Sequence, residues 1–339
     1  GEKAVDAFAA QPELKKYAKK YGEGNRDKEF LNQYFILKDR SGLDCSDVLL
    51  DYFAQIDDRQ LLDSINVPRI AKITTFDKKL ANRFVDAACA EAANPVKDKK
   101  RSAVVNKAIC TFLSACVQKT AQADQEENFE EVLALKDRLF RATGAKNSAT
   151  TASLGGGNIY IPSELLRLNY YSAKKKLDKF NHLFINYIAE LQKKYEETRE
   201  EKAAMFKAME AKLKEAKESG NDEEYQAAKR LNAMMSAFSS IDDYYTSTSM
   251  IENVERYEEI YEGEKDAVYK DRVAGWYVFL HQLSPSAKTA TYVADKLLAL
   301  DKKELAKEVL TLGLKDGSSA AGVEEGDVKA CQAKLDELK

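Results

Sequence analysis

The 339-residue chain is 44% apolar and 32% charged, which is enough apolar material for one or two domains with their own cores and too much for a disordered chain. Its 53 lysines and arginines against 56 acidic residues leave a net charge of -3, which excludes the basic field of a general nucleic-acid binder. No apolar run approaches the roughly 18 residues a bilayer crossing needs, so no transmembrane segment is expected.

With 5 prolines and 15 glycines there are few breakers, and apolar residues recur at three and four, which reads as helix after helix. Phe30, Leu31, Tyr34, Phe35 and Leu37 form one stripe after the polar start Asn25–Asp27, and Gly42 ends it. Val48, Leu49, Tyr52, Phe53 and Ile56 form a second, opened by Asp44 or Ser46, and two such short stripes are stable only against each other. Leu80, Phe84 and Val85 continue the pattern. The stripe Val104, Val105, Ala108, Ile109, Phe112, Leu113, Cys116 and Val117 then pairs with Phe129, Val132, Leu133, Leu139 and Phe140. Stacked hairpins of this kind predict an α-solenoid over residues 1–145.

Residues 146–162, rich in Gly, Ser and Thr and holding the triplet Gly155, Gly156 and Gly157, read as a linker. From Leu166 the positions Tyr170, Ala173, Leu177, Phe180, Phe184, Tyr187 and Leu191 step as a heptad seam, which leaves self-association open. The seam thins through the charged run Lys193 to Glu218, where Met205, Met209 and Leu213 remain. Gly220 stops the helix, and Asn221 with Glu224 restarts one that carries Tyr225, Ala228, Leu231, Met235 and Phe238. The expectation for 163–245 is therefore a long protruding antiparallel helical hairpin, its outgoing arm about 84 Å long if unbroken. Residues 246–339 return to compact helices. These carry Met250, Val254, Tyr257 and Ile260, then Val273, Trp276, Tyr277, Leu280 and Leu283, then a pair with a loose tetratricopeptide-like rhythm and no strict 34-residue repeat. The predicted fold is all-α: stacked helical hairpins with the long hairpin between them.

The segment Lys19 to Gly42 places Tyr21, Gly24, Asn25, Arg26, Asp27, Phe30, Leu31 and Tyr34 in an order that resembles the helical region beside thioredoxin domains in bacterial cell-envelope thioredoxin-family proteins. The resemblance implies a tetratricopeptide-like module, periplasmic or in the cell envelope, that accompanies a thiol-disulfide domain. The thioredoxin domain itself is absent, since there is no Cys-x-x-Cys and no strand-rich stretch. The chain opens at Gly1 rather than methionine, which points to processing or trimming that would hide a targeting segment.

Catalytic, cofactor and metal candidates are not found. Cys45, Cys89, Cys110, Cys116 and Cys331 are odd in number and scattered, and the nearest pair, Cys110 and Cys116, is separated by about 600° of helix rotation and roughly 9 Å of rise. They read as packing residues. His182, with Asp178 one turn before it, and His281 lack the partners of a triad or a multi-histidine metal site. The glycine triplet has neither the strand nor the Lys-Ser/Thr of a phosphate loop. Asp57 and Asp58 read as helix N-terminal charge, and neither they nor Asp242 and Asp243 have a calcium loop's ligand alternation. The 17 tyrosines carry one binding suggestion: Tyr170, Tyr171, Tyr244 and Tyr245 could line a groove for a protein or peptide partner, because tyrosine combines a large face with a polar tip. The expected function is a non-enzymatic helical scaffold for protein or peptide binding. The alternative is the accessory helical region of a thiol-disulfide oxidoreductase whose thioredoxin domain lies outside this chain.

Overall fold

The computed structural model describes residues 12–65, 67–70, 72–94, 99–143, 161–261, 266–316 and 323–338, without side chains at 59, 67, 68, 99, 202, 203, 205, 206, 209, 210, 230–245 and 316. Every regular element among the described residues is an α-helix, as the three-and-four spacing requires, and none of them is in a strand. The expected linker at 146–162 and its glycine triplet lie almost wholly outside the described residues. The chain divides into two units, Gly1–Ser163 and Glu164–Lys339.

The first unit contains α1 (Pro12–Gly22), α2 (Lys28–Arg40), α3 (Ser46–Ala54), α4 (Asp58–Ser64), α5 (Val67–Ile70), α6 (Lys78–Ala93), α7 (Lys99–Gln122) and α8 (Glu126–Thr143). The residues behind the family resemblance build the turn from α1 to α2. Gly24 takes φ +93, which a side chain would resist, and Asn25 Oδ1 accepts from Asp27 N–H at 3.0 Å. Asp27 caps α2 by accepting from the Glu29 and Phe30 amides, both at 3.0 Å. Arg26 lies 3.8 Å over the Tyr21 ring, donates to the Tyr21 carbonyl at 2.6 Å and pairs with Asp51 on α3 at 2.6 Å. Tyr21 also donates to Asp51, at 2.7 Å, and Leu31 and Tyr34 are buried below. Each motif residue thus has a local structural task, and the motif as a whole holds three helices in register.

Elsewhere in this unit arginines do similar work. Arg83 on α6 donates to the Phe53 carbonyl at 3.0 Å and to the Ile56 carbonyl at 2.6 Å, tying down the chain where it leaves α3, and pairs with Asp58 at 2.6 Å. Phe53, Phe84 and Phe112 meet edge to face at 5.1 and 5.5 Å and run the core from α3 through α6 to α7. Such contacts add about 1 kcal/mol each beyond burial. The α7 stripe packs on α8 as expected from Val105 onward, but Val104 is 52% exposed, because it sits one position off the buried face.

The second unit contains α9 (Ser163–Ala173), α10 (Leu177–Glu218), α11 (Asp222–Ile260), α12 (Ala267–Leu283), α13 (Ala287–Ala299), α14 (Lys303–Asp316) and α15 (Glu325–Glu337). The long outgoing helix is interrupted. Residues 174–176 leave the helix, Lys175 adopts φ +55, and the Lys176 amide donates back to the Tyr171 carbonyl at 2.8 Å in a Schellman-type closure. The 42 residues of α10 therefore span about 63 Å rather than the expected 84 Å. The break also resets the helical phase, so the heptad seam does not pass through it: Leu177 is 43% exposed, Ala173 is exposed, and Leu165 and Leu168 are the buried leucines of α9.

Gly220, at φ +69, and Asn221, whose side chain accepts from Glu223 and Glu224, end α10 and start α11, and the two helices pack on each other. The boundary expected at 245/246 falls inside α11, a helix of 39 residues. Residues on both sides of the proposed division share one core, with Phe184, Tyr257 and Trp276 in mutual contact at 5.1–5.4 Å and Phe180 stacked on Phe184 at 5.8 Å. Helices α13 and α14 approach closely at Gly313, where an added Cβ would lie 2.4 Å from the Ala290 Cβ. No described helix is long and apolar enough to cross a membrane.

Candidate functional site

Of the four tyrosines, Tyr170 and Tyr171 have described side chains, and these two pack into the fold. Tyr170 is 3% exposed, with its ring under Lys176 Nζ at 4.7 Å and its hydroxyl accepting from the same ammonium at 2.9 Å. Tyr171 is half-buried against the core, tilted on Tyr170 at 5.6 Å. Their contacts secure the α9–α10 break, so Tyr170 offers no open face to a ligand. Tyr244 and Tyr245 lie in α11, with side chains outside the described residues.

The cysteines read as interior residues. Cys45, Cys116 and Cys331 are buried, Cys89 and Cys110 are half-buried, and all five are free thiols. Burial pushes the thiols of Cys45 and Cys110 up to about 11 and that of Cys116 up to about 12. His182 is exposed and meets Asn186 at 3.2 Å, not Asp178. His281 is 0% exposed, and neither ring nitrogen has a hydrogen-bond partner. Asp58 begins α4, and its carboxylate holds Arg83. Among the described residues no three His, Cys, Asp or Glu side chains converge as a metal-ligand group.

A concave space of about 400 Å³ opens on the second unit, between three helices. Its lining is Gln192 and Glu196 from α10, Gly275, Val278, Phe279 and Gln282 from α12, and Leu305 from α14. The floor is apolar: Phe279 is fixed by an edge contact from Tyr195 at 5.7 Å, and Val278 and Leu305 pack half-buried on the core. The rim is polar but weakly charged, since Glu196 is paired with Arg199 at 3.2 Å. Gly275 gives one wall bare backbone, and a Cβ there would meet no atom within 4 Å. The site can accept an apolar group from outside and offers amide side chains around it, but it lacks paired titratable groups of the kind acid–base chemistry uses.

The sequence reading missed this groove. Its residues are spread over 114 positions from Gln192 to Leu305, and only Gly275, an isolated glycine inside a helical pattern, carries a local signal. No protein family, curated protein or solved structure matches the chain.

Proposed function

We propose that this chain is a non-enzymatic helical scaffold that holds a partner protein or peptide in the groove between α10, α12 and α14. In this reading its helices stack as tetratricopeptide-like hairpins, with the α10–α11 pair projecting as a long arm. The observation that carries it is the groove itself: an apolar floor with an amide rim, on rigid helices, is suited to an apolar side chain flanked by peptide groups. The stacking is supported by packing between helices one and two positions apart in the order α12, α13, α14 and α15. The resemblance of Lys19 to Gly42 to helical regions of cell-envelope thioredoxin-family proteins fits the same reading, with a periplasmic location and a thiol-disulfide domain as neighbour.

The test is a selection of displayed peptides on the full chain, followed by calorimetry with a selected synthetic peptide. Binding tighter than about 100 μM that is lost in Val278→Asp and in Leu305→Glu supports the proposal. A selection that yields no binder, or peptides that bind both variants as well as the wild type, refutes it.

A further inference from the structure

The chain has 2 histidines, and unit 1 has none of them. His281 lies in the last turn of α12, fully buried, with both Nδ1 and Nε2 lacking a hydrogen-bond partner. A neutral imidazole in that position leaves one donor and one acceptor unmet, whereas an imidazolium would leave two donors and a charge. The backbone of Val309 on α14 is the polar group that acts on the ring, and it falls short of hydrogen-bond geometry. The imidazole therefore sits where α12 meets α14.

Ionisable groups on the surrounding helices pair with one another, and Glu308, next to Val309 on α14, is exposed. On α11, Glu258 accepts from Tyr277 at 2.5 Å and Glu255 pairs with Lys296 of α13 at 2.6 Å. On α10, Glu196 holds Arg199, and on α14, Lys307 holds Glu304 at 2.9 Å. On α15, the buried Cys331 lies 3.6 Å from the Leu310 carbonyl. No charged side chain acts on the ring. The Val309 backbone alone favours an imidazolium, and burial outweighs it.

His281 also adjoins the groove in both directions. Gln282 follows it in sequence, Val278 precedes it by one helical turn, and Leu305 faces them from α14, one turn before Val309. The geometry points to His281 as an acid-operated release, in which protonation of the buried ring separates α12 from α14 and dismantles the groove that Val278, Gln282 and Leu305 form across them.

Burial pushes the ring down to about 4 from its ordinary 6.5. The unfolded or opened chain thus binds the proton first, so the packed state is at full strength above 6.5 and weakens as pH falls toward 4. The population in which the ring reaches water rises about thirtyfold between pH 7.5 and pH 5. The statement about the groove rests on the proposed function, and the statement about the packing does not.

Two measurements on the full chain test it. In a nuclear magnetic resonance titration, the His281 ring is expected to stay neutral through pH 6 and to protonate only as the α12 and α14 signals change. In hydrogen exchange corrected for intrinsic rates, amides of α12 and α14 are expected to lose about thirtyfold protection at pH 5, with those of α6 to α8 unchanged. His281→Leu and His281→Met should abolish that loss. A ring that titrates near 6.5 without structural change, or a pH response that persists in both variants, overturns the proposal. Should neither variant fold, the wild-type titration decides: protection lost while the ring is still neutral also overturns it. A selected peptide released at pH 5 by the wild type and retained by the variants supports the groove statement. Retention by the wild type, with ring and exchange as expected, faults the groove reading and leaves the trigger standing.

Discussion

Gly313→Ala is the substitution whose effect the packing fixes most tightly. In an ordinary helix interior this change stabilises by about 1 kcal/mol, because alanine loses less chain entropy than glycine. Here the added methyl would sit 2.4 Å from the Ala290 Cβ, with the Ser286 carbonyl oxygen at 3.1 Å and the Ala287 Cα at 3.5 Å. Two carbons rest at about 3.5–4.0 Å, so α13 and α14 must move apart by about 1 Å or more. Two of the three obstructing atoms belong to backbone, so rotamer change cannot absorb the overlap. Overpacking of this sort costs about 3 kcal/mol at the upper end of its range, leaving a net loss of about 2 kcal/mol. Trp276 is the only tryptophan in the chain and is buried in the second unit, so its fluorescence in a urea titration reports that unit alone. The urea midpoint should fall in Gly313→Ala and recover most of the loss in Gly313→Ala with Ala290→Gly, which removes the facing methyl. A Gly313→Ala chain as stable as the wild type, or a double variant no better than the single one, would refute the close approach of these helices.

Arg26→Lys should loosen the turn between α1 and α2 nearly as much as Arg26→Met, by about 1–2 kcal/mol, because an ammonium cannot stack on Tyr21 and at the same time donate to both a carbonyl and Asp51. Hydrogen exchange of α1 and α2 amides reads this directly, and full protection in Arg26→Lys would contradict it. The five thiols should react with Ellman's reagent at pH 8 only over hours in the native chain and within minutes in urea, since burial raises them all and so lowers the thiolate fraction. Two or more thiols reacting at once in the folded chain would place a reactive pair where the structure has none.

Local chemistry made the turns legible. Gly42 at φ +68, Gly220, and the side-chain caps at Asp27 and Asn221 depend on residues within four positions of one another, and each could be read from spacing alone. The break at 174–176 is different, because three lysines are good helix formers and no breaker marks the place. What decides it is tertiary: Lys176 reaches Tyr170, and Leu165, Leu168 and Phe180 reach one core only if the helix stops and restarts between them. The division expected at 245/246 falls within one helix, α11, which packs on both α10 and α12. The covering of Tyr170 was not legible either, because the size and polarity of a tyrosine do not say whether its ring is covered, and there a lysine covers it. The groove was the least legible feature, since its walls come from three helices and no two of them are neighbours in sequence.

The two glycines inside α12 and α14 separate packing from function. Each weakens its helix by about 1 kcal/mol relative to alanine. At Gly313 the reason is intramolecular, because α13 occupies the space. At Gly275 a Cβ would meet nothing within 4 Å, so the fold itself gains nothing from the missing methyl. Gly275→Ala should accordingly stabilise the second unit by up to about 1 kcal/mol, raising the urea midpoint seen by Trp276. If the bare backbone serves a partner's close approach, the same methyl should weaken binding of a selected peptide about tenfold, and Gly275→Val more. A variant that is both more stable and equally competent in binding would remove the functional reason for this glycine, and with it the claim that the groove is where the partner sits.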